Sequence, residues 1–401
     1  MQPIYFDNNA TTACDPAVVA AMLPFFSEQF GNASSIHSFG NRVGQAVAAA
    51  RSQIAALLGA EHDSEIIFTA GGTESDNTAI LSALKAFPER REIITTAVEH
   101  HAVLALCDQL EKEGYVVHRL KVDRRGRLDL EEYKTLLSER VAIASVMWAN
   151  NESGTIFPVE EMAACAHAAG VQFHTDAVQA VGKLPIDLRR TRIDMLSLSG
   201  HKLHAPKGIG VLYLRRGARF RPLLRGGQQE RGRRPGTENA PAIVGLGLAA
   251  ALAARHLETE NTHVRHLRDK LERGILARVP NAFPTGDLDN RLPNTSSIAF
   301  EYVEGEAILL LLNKLGIAAS SGSACTSGSL EPSHVMRAMG IPYTAAHGTI
   351  RFSLSRYNTL AEVERVIEAV PPIIAQLRRI SPYWNAERNA PANAEFTPAY
   401  A

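Results

Sequence analysis

Neither sign of charge prevails in this chain: Lys plus Arg and Asp plus Glu both total 42. Without a net field, a protein built to bind nucleic acid or an anionic membrane is not expected. Cysteine is scarce. Cys14, Cys107, Cys165 and Cys325 form no CxxC pair, which argues against a zinc knuckle or a thioredoxin-type motif. Four in 401 residues are too few for a disulfide scaffold, so a reduced, cytoplasmic protein is expected. Long apolar runs are also missing. The longest, Ala242–Ala254, contains two glycines and falls short of the about 20 residues that a membrane-spanning helix needs. It reads as a buried helix. The opening MQPIYFDNNATT has no basic stretch ahead of an apolar core and is not read as a signal peptide.

What is present is an ordinary globular composition, 45% apolar and 21% charged, with length for two or three domains. From about Asn41 to Ala254, short apolar runs alternate with helical patterns. Glu65–Thr69, Glu92–Thr96, Tyr115–Leu120, Val141–Trp148, Val171–Thr175, Asp194–Ser199 and Gly210–Leu214 read as strands. Asn41–Gly59, Glu74–Ala86, His101–Glu113, a segment capped by Asp129 and Val159–Ala169 read as helices. Continuous apolar strands separated by helices predict an α/β fold, with a mostly parallel sheet covered on both faces. Ligands in such sheets collect at the carboxyl ends of the strands. After about residue 257 the pattern changes to a smaller α+β region. The expected division is a large domain, 13–257, a small one from 1–12 and 258–380, and a tail, 381–401. In the small domain, Asn261–Ala277 and Thr359–Ile380 are expected to be helices.

Three strand ends carry chemistry. Lys202 follows Asp194–Ser199 in a Ser-Gly-His turn, and lysine is the side chain that forms Schiff bases with carbonyl cofactors. Alone, such a lysine is more often solvent-facing. Asp176 ends another strand, and a carboxylate of this kind also serves as a helix cap. Together the two are what pyridoxal 5'-phosphate requires: an amine to hold the aldehyde and an acid to keep the ring nitrogen protonated. Gly71-Gly72-Thr73-Glu74, between a strand and a helix, lets backbone N–H groups approach an anion, though a two-glycine turn is a weak signal by itself.

With these motifs in place, the chain resembles the pyridoxal-phosphate-dependent cysteine desulfurases of the NifS type, in the class V aminotransferase group. The resemblance rests on YFDNNATT (5–12), FGNASSIHSFG (30–40), GGTESDN (71–77), VEHHAVL (98–104), WANNESGTIFP (148–158), FHTDAVQAVGK (173–183), SLSGHKLHAPKGIG (197–210), RRPGTEN (233–239), SSGSACTSGSLEPSHVMRAMG (320–340) and IRFSLSRY (350–357). It covers nearly the whole chain to about residue 380. It implies a fold type I enzyme with Lys202 holding the cofactor, Asp176 on the ring nitrogen and Gln179 on the ring hydroxyl. His100 is implied to stack on the ring and move protons. Gly72, Thr73, Ser199 and His201 would bind the phosphate, with Thr237 reaching in from a second subunit of a homodimer. Asn151 would touch cofactor and substrate. Arg351, whose planar fork suits a carboxylate, would hold the substrate, with Asn8 as a helper.

Cys325 sits in a run of small residues, Ser320 to Ser329. Such a run suits a reactive thiol on a mobile arm, and a small buried cysteine is the plainer reading. The resemblance makes it the acceptor of sulfur from L-cysteine. Its persulfide would pass sulfur to an iron–sulfur scaffold protein, touching iron only transiently in a nascent cluster. Details such as HAPKGIGVLYLRR lean toward the form that serves nitrogenase. A selenocysteine lyase, a cysteine sulfinate desulfinase and a housekeeping desulfurase remain alternatives within the fold. A nucleic-acid scaffold is the rival from another class, resting on six arginines in Arg219–Arg234.

Overall fold

The computed structural model describes residues 3–321, 332–385 and 390–392. Cys325 lies outside the described residues. The chain begins with β1 (Ile4–Tyr5), α1 (Pro16–Met22), α2 (Pro24–Ser27) and α3 (Ser38–Leu58). Alternation follows: β2 (Ile66–Thr69), α4 (Gly72–Ala86), β3 (Glu92–Thr96), α5 (His101–Lys112), β4 (Val116–Leu120), α6 (Leu130–Leu136), β5 (Val141–Ser145), α7 (Val159–Ala168), β6 (Gln172–Asp176), β7 (Met195–Ser199) and β8 (Gly210–Leu214). The sheet order is β2-β8-β7-β6-β5-β3-β4, and only the pairings of β8 are antiparallel. β2, β6 and β7 therefore end on one edge of the sheet, where β8 begins. The mostly parallel sheet expected from the sequence is present.

Strand alternation splits the side chains between two faces. Ile94, Ala144, Phe173, Leu196 and Tyr213 share a core with residues of α3 and α7. Ile67, Ile93, Ile143, Met195 and Leu212 pack instead with Ala79, Ile80 and Ala83 of α4 and Val103 and Leu110 of α5. The long helix continues this layering. α8 (Ala240–Thr259) packs on α3 and runs through a π-turn, Glu260–Val264, into α9 (Arg265–Leu276). By length and composition this helix could cross a membrane, but half of its apolar window is buried in protein.

A second core gathers around β9 (Ala282–Pro284), β10 (Thr295–Phe300) and α10 (Gly305–Lys314). The segment continues with β11 (Ile317–Ala318), α11 (His334–Ala338), α12 (Tyr343–Ala346), β12 (Thr349–Ser353) and α13 (Leu360–Arg379). β12, β10 and β9 form an antiparallel sheet, and β1 pairs with β11, bringing Ile4 and Phe6 into this core. Two features differ from the sequence-based expectation. The chain passes between the cores inside a continuous helix rather than at a break near residue 257, and Val264 of the π-turn is already in the second core. Val335, Met336, Met339 and Ile341 pack into the first core, because α11 lies against it.

Local chemistry explains the boundaries near the site. α4 starts at Gly72, two residues before the expected Glu74, since glycine tolerates the close approach there. A Cβ on Gly72 would lie 2.9 Å from Val178 Cγ2, and one on Gly210 would lie 2.6 Å from Gly71 Cα. α13 keeps its helix across Pro371 and Pro372, held by a Thr359/Glu362 capping box and by burial of Val363, Val366, Val370 and Ile374.

Candidate active site

The carboxyl ends of β2, β6 and β7 open on a cavity of about 230 Å³. Its lining includes Gly72, Thr73, His100, Asn151, Asp176, Gln179, Ser199, His201, Lys202 and Arg351. Ten of the residues singled out from the sequence thus meet at one place. Asn9, Ala10, Asp76, Met147, Ala149 and Val178 join them, unforeseen. Asp76 had a usable signal: it stands four residues after Gly72 on α4, hence on the same helical face.

One end of the cavity is built for an anion. Gly71 offers no side-chain cap to α4, so the first-turn N–H groups and the positive end of the helix dipole are presented together. Glu74, the acidic residue of that turn, is occupied elsewhere: it accepts from Ala70 N at 2.9 Å and pairs with Arg234 at 2.8 Å. His201 Nδ1 meets Thr11 Oγ1 at 3.1 Å, and burial pulls its pKa down to about 4.

The other end holds a buried acid and an amine. Asp176 accepts from Val178 N at 2.9 Å, and burial pushes its pKa up to about 6 while Lys202 pulls it the other way. Lys202, in the turn after β7, donates to the carbonyls of Asn9 and Ala10, the latter at 2.6 Å. These carbonyls come from the loop between β1 and α1, so the amine is aimed by a different part of the chain. Behind Asp176 lies a polar layer. His174 joins Ser145 Oγ at 2.8 Å and Ser197 Oγ at 2.9 Å, and Asp76 Oδ1 stands 3.6 Å from its ring. Burial raises the pKa of Asp76 and lowers that of His174 to about 3, so in this layer burial favours the uncharged forms.

His100 caps α5: its Nδ1 accepts from Ala102 N at 3.1 Å. The neutral ring therefore carries its proton on Nε2. Burial first, then Lys202, depress its pKa to about 4. Arg351 is 3% exposed. It donates from Nη1 to Asn151 O at 3.0 Å and from Nη2 to Asp7 at 2.8 Å, while its buried Nε has no partner among the described residues. An open donor on a buried guanidinium beside the cavity suits a carboxylate.

Two expected contacts are not in this lining. Asn8, read as a substrate contact, is buried among Tyr5 O, Ser353 O at 2.9 Å and Asn358, because its amide fastens the β1 loop to β12. Its neighbour Asn9 lines the cavity instead. Thr237 is exposed on the surface. The described residues on either side of the segment that carries Cys325 lie beside the site. Ser320 bonds to the backbone of Arg351, and Ser333 Oγ donates to Glu152 next to Asn151. Cys14, Cys107 and Cys165 are not in the lining, and burial pushes the Cys107 thiol up to about 12. Arginines of the basic stretch serve the fold: Arg219 stacks on Phe87, Arg233 donates to Ser64 O and Arg234 pairs with Glu74.

A helix start for a phosphate, a buried carboxylate and a primary amine around one cavity fit pyridoxal phosphate as a donor set. Comparison with known proteins agrees. The family model "Aminotransferase class-V" matches residues 4–366. A protein of Azotobacter vinelandii called "Cysteine desulfurase NifS" is 71% identical with all of both chains covered. A "Cysteine desulfurase" of Gluconacetobacter diazotrophicus is 68% identical, again over all of both chains. Among solved structures, a "NIFS-like protein" superposes with a TM-score of 0.88 at 39% identity, covering 94% of this chain and 100% of that one. "SspA in complex with cysteine" gives 0.78 at 35%, covering 89% and 100%. The chain belongs to the class V aminotransferase family, and within it to the cysteine desulfurases.

Proposed function

We propose that this protein is a cysteine desulfurase that moves sulfur from L-cysteine to Cys325, leaving L-alanine and a Cys325 persulfide. Atoms balance: the substrate's sulfur becomes the outer persulfide atom, and the thiol's proton replaces it in the alanine formed. The observation that carries this reading is the convergence of Lys202, Asp176, the α4 N-terminus and Arg351 on one cavity.

Pyridoxal phosphate, when bound, supplies an electron sink that lets a proton leave the substrate's α-carbon and then lets the carbon–sulfur bond break. The chain's own residues do the rest. Gly72 and Thr73 at the start of α4, with Ser199 and His201, would bind the phosphate. Asp176, as an anion, would hold the proton on the ring nitrogen. Arg351 orients the substrate through its carboxylate. Lys202 Nζ would hold the cofactor's aldehyde and, when not so engaged, would be the amine placed to take the α-proton. His100, with Nδ1 accepting from Ala102 N, keeps its Nε2 hydrogen and offers it as a hydrogen bond. The Lys202 amine, once it has passed the α-proton on, is the acceptor for the Cys325 proton. An acceptor is needed, because a thiol of ordinary pKa is only a few per cent ionised at pH 7.

The nitrogen-fixation role carried by the name of the Azotobacter vinelandii relative supports delivery of sulfur to an iron–sulfur scaffold for nitrogenase. A homodimer in which Thr237 completes the second copy's phosphate site fits its exposed position. The test is to incubate the holoenzyme with L-cysteine and measure its mass and the free amino acids. One added sulfur on Cys325 and an equivalent of alanine are expected. Alanine formed at an undiminished rate by Cys325→Ala would overturn the assignment.

A further inference from the structure

Below the cavity floor lies a lysine that the reaction just described does not use. Lys183 is 7% exposed. Its Nζ donates to two oxygens of one residue, Gln179 O and Gln179 Oε1, both at 3.1 Å. On the other side, Gln179 Nε2 donates to Asn9 O at 3.0 Å. An ammonium only donates and a carbonyl only accepts, so these contacts admit one orientation of the amide. Turned over, the amide would set N–H against the ammonium and oxygen against the carbonyl, losing both bonds. In the allowed orientation the second hydrogen of Nε2 is left for the cavity that Gln179 lines.

The ammonium is sustained by the π-turn between the two cores. Glu260, buried on that turn, favours the charged form of Lys183, against burial and Arg351. Asn261 Nδ2 donates to Lys183 O at 2.8 Å. The widened helical turn thus supplies both a counter-charge and a backbone anchor, a use in keeping with π-turns at functional sites.

We propose that Lys183 is a positioning residue that locks the Gln179 amide so that the cavity is offered a donor, there to hold the ring oxygen of the cofactor. The proposal rests on the pyridoxal phosphate reading above. An acceptor in the same place would repel that oxygen, so the lock sets both affinity and the electronic state of the ring.

The test is a double-mutant cycle on cofactor affinity, with Gln179→Ala, Lys183→Met and the double variant added to apoenzyme, and the visible spectrum of each holoenzyme recorded. Lys183→Met is expected to weaken pyridoxal phosphate binding on the order of tenfold and to shift the visible band. The double variant is expected to lose no more than Gln179→Ala alone, because Lys183 acts only through that amide. Multiplying losses, or wild-type affinity and spectrum in Lys183→Met, would overturn the proposal. Lys183→Gln serves as a second variant. If neither folds as apoprotein, the residue is structural and the proposal falls. Failure of the wild-type protein to bind pyridoxal phosphate would instead sink the underlying reading.

Discussion

The sheet face under α4 changes character along its length. At one end Ile67, Ile93, Ile143, Met195 and Leu212 form a closed apolar layer. At the other, only a few residues further along the same strands, stand Thr95, Ser145, His174, Asp176, Ser197 and Ser199, all buried. Thr95 Oγ1, Asp76 Oδ1 and Glu99 Oε2 there have no hydrogen-bond partner among the described residues, and burial raises the Glu99 carboxyl to about 8. Equal burial thus serves opposite ends. The apolar half contributes stability through packing, while the polar half costs stability and holds ionisable groups ready for a ligand.

The comparison breaks most sharply at Lys202. Lys202→Ala is expected to cost on the order of 10³-fold or more in alanine formation, with the melting temperature of the apoprotein little changed. Ile143→Ala, on the same face, is expected to do the reverse. It should lose about 2–5 kcal/mol of stability in denaturant unfolding and leave cofactor affinity unchanged.

Asp176 sharpens the contrast through pH. Its pKa is about 6 in the folded protein and about 3.9 in an unfolded chain. Between these values the folded apoprotein binds the proton and the unfolded chain does not. Stability therefore falls as pH rises through this window. Asp176→Asn removes that slope. Melts of the apoproteins are expected to show the variant gaining on the wild type from pH 4 to pH 7, while its activity falls roughly a hundredfold. A gap that does not vary with pH would contradict the cost assigned to the polar half. The smallest effect is expected from Gly72→Ala. The added methyl must displace Val178, and cofactor affinity measured by absorbance titration should fall about tenfold.

Most of this contrast is written in local sequence. Gln172, His174 and Asp176 alternate with Phe173 and Thr175 along β6, and Ser197 and Ser199 alternate with Leu196 and Leu198 along β7. A period of two in the residue types is enough to mark the polar face. Lys202, Asp176 and Gly72 were legible because each follows a recognisable strand. What stayed hidden depends on distant partners. Asn8 and Asn9 are equivalent in sequence. Only the bonds of Asn8 to Ser353 and Asn358, far along the chain, decide that Asn9 faces the cavity. Nothing local in Val-Gly-Lys-Leu marks Lys183 as buried, and the Asn261 amide that bonds its carbonyl lies 78 residues further on, in the π-turn.

The most direct measurement is borohydride reduction of the holoenzyme followed by peptide mass mapping. Fixation of the pyridoxyl group on Lys202 alone is expected. Its appearance on another lysine, or a protein that retains no cofactor after reduction, would contradict the account.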